Sequence, residues 1–163
     1  MFDFKKKSYP IPDTVFKRPL YFIAFGFGMG AIPFAPGTFG SLFALFLYIL
    51  LPPLSLFSHL ILTLILIIVS IYICDRVSRE IKIHDHPGMC LDEFPGMFVS
   101  LLFAPATWMG LLAAFLLFRA FDIIKPWPIG WVDRNVHGGF GMVMDDVLAG
   151  VFVSIIFLVS KMI

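Results

Sequence analysis

Charged residues are scarce in this chain. Only 14% of its 163 residues are Asp, Glu, Lys or Arg, whereas 60% are hydrophobic, and the mean hydropathy is +0.95. Ordinary soluble domains are nearer half apolar and a quarter charged. A soluble protein of this length has too little interior to bury so much apolar surface. The composition therefore predicts an integral membrane protein, and the length suits a single domain.

Cysteine is scarce as well, and the net charge is small. Cys74 and Cys90 are too few for a disulfide framework and fit no zinc spacing, so we interpret both as small apolar side chains. A formal charge of +1 provides no global field for nucleic acid or an acidic partner. Residues 1–19 are charged and lack the apolar core and cleavage site of a secretory signal. We expect them to form a cytoplasmic arm, followed by one membrane-embedded domain over 20–163.

Long stretches without charge separate the charged groups. No Asp, Glu, Lys or Arg occurs between Pro19 and Cys74, which is too long for one spanning helix of roughly 20 residues. Two adjacent prolines at 52 and 53 divide its second half into predicted spans over 40–51 and 56–74. The preceding residues 20–40 are rich in Gly and Pro. We expect them to form a short or re-entrant segment, which is tolerated at membrane depth only when it is buried or faces water.

The second half of the chain predicts three further spans. Pro105 lies near the middle of the next uncharged stretch. We therefore expect a helical hairpin with helices over 88–104 and 106–124, and Trp108 at the far interface, where Trp is favoured. A last span is expected over 145–163. The predicted fold is thus an all-α, polytopic helical membrane bundle with about five spanning helices.

This hairpin brings the charged groups to one face of the membrane. It returns the chain to its starting side, so that Asp92 and Glu93 lie beside Arg119 and Asp122. A single span over 94–118 would instead divide the acidic residues between the two faces. Lys and Arg residues mark the shared face as cytoplasmic.

Carboxylates are concentrated on this face. They form two adjacent pairs and two single acids, namely Asp92, Glu93, Asp145, Asp146, Asp122 and Asp133. Each pair is expected at the start of a helix, where an acid is stabilised by the helix dipole and needs no other role. However, so many carboxylates repel one another unless a cation lies among them. Mg²⁺ is the usual hard cation for carboxylate and water ligands, so we favour a divalent metal site.

Cations recur beside these acids. Arg119, Asp122 and Lys125 are spaced by three residues, which suits either an ordinary ion-pair face or a phosphate-binding face. Arg134, Asn135 and His137 follow in a glycine-rich loop, where the same two interpretations remain open.

Two weaker patterns remain. Thr38 and Ser41 lie in a Gly-rich turn before a helix, where either residue is an N-cap or part of an anion site. His84-Asp85-His86 has two potential metal ligands without a third fixed one, so it is a weak metal signal.

Taken together, these motifs resemble the phosphatidylglycerophosphatase A family. The matching segments are Gly26-Phe27-Gly28-Met29-Gly30, Pro36-Gly37-Thr38-Phe39-Gly40-Ser41, His84-Asp85-His86 with Asp92-Glu93-Phe94-Pro95-Gly96-Met97, and the long run from Phe118 through Lys125-Pro126-Trp127-Pro128 to Asp145-Asp146. The resemblance covers about residues 20 to 160. It implies a Mg²⁺-dependent hydrolase that converts phosphatidylglycerophosphate to phosphatidylglycerol and phosphate. It also implies a multi-pass protein of the bacterial inner membrane whose active site faces the cytoplasm.

Several other phosphatase chemistries lack their residue patterns here. Neither cysteine is followed by Arg at the spacing of a phosphate-binding cysteine loop, since Glu80 and Gly96 occupy those positions, and there is no Asp-x-Asp-x-Thr motif. No nucleophile paired with a base stands out. These absences favour direct attack by a metal-activated water.

A mechanism for such an enzyme assigns a role to each candidate residue. The predicted ligands of one or two Mg²⁺ ions are Asp92, Glu93, Asp145 and Asp146. The phosphate and head group are predicted to contact Arg119, Lys125, Arg134, Asn135, Thr38 and Ser41. Asp122 or Asp133 would orient the water, and His137 would protonate the leaving glycerol oxygen.

Two alternatives remain at this stage. A phosphatase of another phospholipid or of a polyprenyl phosphate would need the same chemistry. An ion carrier would need polar residues through the membrane depth, and the predicted spans have almost none beyond Ser and Thr. The oligomeric state has no signature in the sequence.

Overall fold

The computed structural model describes residues 11–83 and 86–161. Within these residues the chain is all-α, without a β-strand, which confirms the predicted class. A single turn of 3-10 helix covers Met29–Ala31. The helices are α1 (Pro19–Ala24), α2 (Pro36–Leu50), α3 (Leu56–Ile81), α4 (Glu93–Ser100), α5 (Trp108–Ile124), α6 (Ile129–Asn135) and α7 (Gly138–Ser160).

Two of these helices are long and apolar enough to cross a membrane. α3 has 26 residues and α7 has 23. α2 and α5 are shorter, with 15 and 17 residues, which corresponds to about 22 and 25 Å against a hydrocarbon core of about 30 Å. The described helices therefore support a helical membrane protein with two candidate spans by length, rather than the five that the sequence predicted.

The predicted helix over 88–104 is wrong in length. Only Glu93–Ser100 is helical, and all eight of these residues are buried. At 1.5 Å per residue, α4 is about 12 Å long and extends through less than half of a bilayer. It packs against α2, α3, α5 and α7, so it forms the centre of the bundle. An uncharged, apolar sequence is compatible with either length, because burial in protein and contact with lipid select the same residues.

Small residues bring α4 close to α7. A Cβ atom added at Gly96 would lie 2.7 Å from the backbone oxygen of Asp146, and one added at Gly150 would overlap the backbone oxygen of Gly96. Neither position therefore has room for a larger side chain. This close crossing is typical of membrane helices. Asp146, Gly150 and Ser154 share one face of α7, which packs against the bundle and directs Asp146 inward, where it is 4% exposed.

α7 begins earlier than the sequence predicted. The helix starts at Gly138 rather than near 145, so Asp145 and Asp146 lie about two turns inside it and not at its entry. The reason is a cap from a distant part of the chain: the backbone N–H of Gly139 donates to Asp75 of α3 at 3.2 Å. Gly139 permits this approach, because a Cβ there would lie 2.5 Å from the Asp75 nitrogen. The interpretation of Asp145 and Asp146 as residues at a helix start is therefore wrong.

The remaining predicted elements differ mainly at their ends. α2 starts at Pro36, a favourable first position for a helix, so that Thr38 and Ser41 lie inside it and neither is its N-cap. α3 continues to Ile81, beyond the predicted end at 74. The second helix of the hairpin, α5, agrees with the predicted 106–124 to within two residues. Most of the charged arm, residues 1–10, and the final two residues lie outside the described part of the chain.

Candidate active site

An arginine connects three helices at one end of the bundle. Arg119 of α5 donates to the Glu93 carboxylate of α4 at 2.8 Å and to Asp122 at 2.8 Å. It also donates to the Ser41 hydroxyl of α2 at 3.3 Å. The Arg119 and Glu93 side chains are only 14% and 9% exposed. The predicted return of the chain after Pro105 thus places Glu93 beside Arg119.

Ser41 is a neighbour of this ion pair and lies on the buried side of α2. Its hydroxyl lies within hydrogen-bonding distance of Glu93 and of the Gly37 carbonyl one turn earlier, at 3.0 Å from the latter. The residue is fully buried. Gly37 is adjacent, and a Cβ atom there would overlap the Glu93 carboxylate. α2 therefore begins directly over the acid, which explains the requirement for glycine at 37.

Three carboxylates form the centre of the site. Asp122, Asp145 and Asp146 each offer a ligand oxygen, and these oxygens all lie within 4.8 Å of one another. Asp145 and Asp146 are buried, and Asp122 is half-buried. The sequence predicted Asp145 and Asp146 as metal ligands and gave Asp122 another role, so the structure adds Asp122 to the candidate ligands.

Lys125 borders the cluster on a second side. It ends α5 in a left-handed conformation and donates to Asp133 at 2.6 Å and to Asp145. Burial on its own would lower the pKa of the Lys125 ammonium, but the negative charges of Asp145 and Asp133 raise this pKa above its ordinary value. Lys125 is therefore a permanent positive charge beside the cluster.

Asp146 is the one member of the cluster that no cation contacts. Arg119 pairs with Asp122 and Lys125 pairs with Asp145, whereas no hydrogen-bond donor or ion-pair partner within residues 11–83 and 86–161 reaches the buried Asp146 carboxylate. Asp122, Asp145, Asp92 and Glu93 all add repulsion at this position. A buried charge of this kind is costly unless it is paired or binds a metal.

The charge balance of the site also favours a bound metal cation. It contains six carboxylates, which are the acids predicted from the sequence, and only two cations, Arg119 and Lys125. The excess is therefore four negative charges if every group is ionised. Oxygen ligands in this number are typical of a hard divalent cation. The residues present thus fit such a cation, although Asp92 and Glu93 lie outside the cluster that is close enough to share one ligand sphere.

Three of the other four predicted residues are exposed, and the fourth is half-buried. Arg134 and Asn135 lie on α6 with their side chains exposed, and Asn135 donates to the Trp131 carbonyl of its own helix at 2.7 Å. His137 is exposed at the N-cap of α7. Thr38 is half-buried in the first turn of α2. None of these four residues belongs to the cluster of Asp122, Asp145 and Asp146.

The weak histidine motif is only partly described. His84 and Asp85 lie outside the described residues. His86 is buried beside the Phe25 ring, with ring centroids 5.2 Å apart, and its Nδ1 accepts from the backbone N–H of Gly88 at 3.0 Å. These contacts assign His86 a packing role.

Two structural residues of the site were missed in the sequence. Asp75 caps α7 from α3, and Gly37 seats α2 on Glu93. The signal for Gly37 was its place in the Pro-Gly-Thr turn, whereas nothing local distinguishes Asp75 from an ordinary surface acid.

Comparisons with known proteins agree with these features. The family model described as Phosphatidylglycerophosphatase A matches residues 22–161. The relative of that name from Escherichia coli (strain K12) is 40% identical over 135 residues, which cover 82% of this chain and 78% of the relative. The one from Haemophilus influenzae (strain ATCC 51907 / DSM 11121 / KW20 / Rd) is 40% identical over 149 residues, or 90% of this chain and 91% of the relative.

A further relative has a different description. A protein of Bacteroides thetaiotaomicron, provisionally described as a phosphatidylinositol-3-phosphatase, is 36% identical over 156 residues, covering 89% of this chain and 97% of that protein. No solved structure matches the chain.

Proposed function

The chain belongs to the phosphatidylglycerophosphatase A family, and we propose from this that it is a phosphoric monoester hydrolase acting on phosphatidylglycerophosphate. Its products would be phosphatidylglycerol and phosphate. The observation that carries the proposal is the extent of the match. The family model covers residues 22–161, and this range contains every residue of the site described above.

A divalent cation at the Asp122, Asp145 and Asp146 cluster is the second part of the proposal. It is supported by the spacing of the three oxygens and by the buried, unpartnered carboxylate of Asp146. Mg²⁺ is the expected ion, because hard cations prefer oxygen ligands. When bound, such an ion would lower the pKa of a water and offset charge on the phosphoryl oxygens. Asp92 and Glu93 remain proposed as further ligands.

The two cations of the site suit the phosphate. Arg119 and Lys125 flank the carboxylates on different sides, and each is held by two acids. This arrangement keeps two positive charges fixed beside the position of the transferred group, which stabilises developing charge without reorganisation. The fork of Arg119 suits two phosphoryl oxygens at once. Ser41 is better suited to holding Glu93 and Arg119 in place than to binding phosphate, because it is fully buried between them.

Proton transfer and head-group binding are proposed for predicted residues that mostly lie outside the carboxylate cluster. Asp133 is half-exposed and adjacent to Lys125, so it is placed to orient water, as is Asp122 within the cluster. His137 would donate a proton to the leaving glycerol oxygen. Thr38, Arg134 and Asn135 are proposed as contacts of the polar head group. Arg134 and Asn135 are exposed and close in sequence to Asp133, and Thr38 is half-buried next to Gly37, which lies against Glu93.

The proposed membrane arrangement follows from the exposed tryptophans. Trp108 is the first residue of α5 and Trp127 follows its end, and they are 75% and 80% exposed. Tryptophan favours the two membrane interfaces, so α5 would cross a thin bilayer. α2, α3 and α7 would cross beside it, and α4 would enter from the site face and stop within the bundle.

Localisation and domain extent are proposed on the same basis. In the proposed topology all Lys and Arg residues except Lys161 lie on the face of the site, which by the positive-inside rule would be the cytoplasmic face of a bacterial inner membrane, with several passes. Residues 20–163 are proposed to act as one unit. Arg18, at the end of the arm, pairs with Glu80 of α3 at 2.8 Å, which joins the arm to this unit.

The test is phosphate release by purified, detergent-solubilised protein. The substrates are phosphatidylglycerophosphate, phosphatidic acid and phosphatidylinositol 3-phosphate, each with Mg²⁺ or with EDTA. We expect release from phosphatidylglycerophosphate in Mg²⁺ only, at a kcat/KM well above the other two. A preference for phosphatidylinositol 3-phosphate would move the assignment towards the Bacteroides relative. Equal release from all three would leave a general lipid phosphatase, and no release from folded protein would favour the non-enzymatic alternative.

The metal ligands are tested with substitutions that keep the shape of each acid. We expect Asp92→Asn, Glu93→Gln and Asp146→Asn each to reduce phosphate release. Full activity in all three would contradict the metal proposal.

A further inference from the structure

An apolar groove extends along the outer side of α2. Its volume is about 410 Å³ and it is lined almost entirely by hydrophobic side chains. Leu42, Leu45, Phe46 and Ile49 of α2 form much of its wall, and Trp108 at the start of α5 closes one side. Leu42, Phe46 and Ile49 are each about half exposed, so no other part of the described chain covers them.

The groove is connected to the active site through the two helices that border it. Trp108 and Arg119 stand near opposite ends of α5. Trp108 lies against the groove, and Arg119 contacts Ser41 at the beginning of α2. The site therefore lies between α2 and α5 near one end of the two helices, and the groove lies between them towards the other end. From Leu42 to Ile49 the groove runs for about 10 Å along α2, in the direction that leads away from the site end of that helix.

We propose that this groove binds one acyl chain of the lipid whose phosphate is hydrolysed. The proposal rests on the proposed function, since only a lipid substrate has a chain to place there. A diacyl lipid with its phosphate at Arg119 must direct its chains into the apolar layer, away from the carboxylates. The groove begins within the first two turns of α2, where its lining residues Phe39 and Leu42 lie on either side of Ser41 in the sequence. Chain binding would hold the phosphate against the site, because binding energy from a remote part of a substrate can position its reacting group.

The first test is a pair of substitutions that fill the groove. Ile49→Trp adds bulk far from the site, and Leu42→Trp adds it nearer; neither residue is part of the catalytic machinery. Ile65→Trp is the matched control, because Ile65 is similarly exposed but lies on α3, outside the groove. Activity in Mg²⁺ is measured with dioleoyl and dihexanoyl phosphatidylglycerophosphate.

We expect Ile49→Trp to lower kcat/KM for the dioleoyl substrate by about tenfold and to change the value for the dihexanoyl substrate by less than about twofold. Ile65→Trp should change neither. If Ile49→Trp fails to fold, Leu42→Trp carries the same comparison. An equal effect on both substrates, or no effect in a folded variant, would overturn the proposal. Wild-type protein that hydrolyses neither substrate would instead contradict the proposed function.

A second measurement detects the chain without any turnover. In a Trp127→Phe/Trp131→Phe background, Trp108 is the remaining tryptophan. Phosphatidylglycerophosphate with brominated acyl chains is added in EDTA, beside brominated phosphatidylcholine at the same mole fraction. We expect saturable quenching by the first lipid only. This difference should be lost when Ile49→Phe is added to the same background, because Phe fills the groove without adding a second tryptophan.

Other occupants of the groove give different results. Equal quenching by both lipids would assign it to bulk lipid and overturn the proposal. A dimer in detergent that Leu42→Trp dissociates would assign it to a second copy of the chain, with the same consequence.

Discussion

Asp146→Asn separates the metal proposal from simple charge packing. The substitution keeps the size of the side chain and removes one buried negative charge. The ligand oxygen of Asp146 lies within 4.8 Å of those of Asp122 and Asp145. Two like charges at that separation repel by about 3 kcal/mol at an effective dielectric constant of about 20. Lys125 and Arg119 offset part of this by pairing with Asp145 and Asp122.

The same substitution should therefore act in opposite directions with and without metal. In EDTA we expect Asp146→Asn to be more stable than the wild type by about 1–2 kcal/mol, because repulsion within the cluster is relieved. In Mg²⁺ we expect the order to reverse, because a ligand that binds only the folded state stabilises it and the variant has lost a ligand. Phosphate release should fall by at least about a hundredfold.

Thermal unfolding in detergent, followed with EDTA and with Mg²⁺, measures both effects. Asp133→Asn is the control for the metal response: it removes the same charge from a half-exposed residue outside the cluster, so its Mg²⁺-dependent shift should remain. If Asp146→Asn is less stable in EDTA and gains as much from Mg²⁺ as the wild type, then Asp146 is not a metal ligand and the electrostatic reasoning is wrong.

Three further substitutions test the framework around the site. Gly150→Ala should destabilise the fold by about 1–3 kcal/mol, because its Cβ overlaps the Gly96 carbonyl and separates α4 from α7; chemical denaturation measures the loss. Arg119→Lys should keep the charge but lower kcat by about tenfold or more, because an ammonium cannot present two parallel N–H groups to the phosphoryl oxygens. His59→Phe should cost about 1–3 kcal/mol, because the Phe98 carbonyl loses its partner, while the Mg²⁺ dependence of phosphate release stays unchanged.

The contact between Glu93 and Arg119 was predictable because it required only one reversal of the chain. Pro105 lies midway in an uncharged stretch that is flanked by charges, and a hairpin at this proline brings both flanks to the same face. The structure has this contact at 2.8 Å. The role of each residue was harder to predict from the sequence. Ser41 reads as a phosphate contact in a glycine-rich turn, and only the fold shows that it is fully buried beside Glu93.

The start of α7 was not predictable from its own sequence. An exposed histidine precedes it and two glycines are its first residues, so local preference alone gives no strong cap. The cap is Asp75, which belongs to α3 and lies 64 residues away in the chain. The extra two turns of helix move Asp145 and Asp146 from a helix entry to the middle of the bundle. Their burial, and hence the case for a metal, therefore depends on a long-range contact.

The short helix α4 has charged residues at one end and only neutral side chains around the other. Its N-terminus, with Asp92 at the cap and Glu93 in the first turn, lies at the site, where the helix dipole favours negative charge. Its C-terminus ends inside the bundle, where unpaired carbonyls would be costly.

That end is satisfied by neutral side chains. His59 contacts the Phe98 carbonyl at 2.9 Å, and Ser154 donates to the Val99 carbonyl. A charged group at this depth would need a counter-charge, whereas a neutral imidazole or hydroxyl needs only a hydrogen bond. The N-terminus of α4, the positive end of the helix dipole, thus faces the acidic site. The residues that stabilise its C-terminus take no part in binding metal or phosphate. Stability should therefore respond mainly to substitution of His59 and Ser154, and catalysis mainly to substitution of Glu93 at the other end of α4.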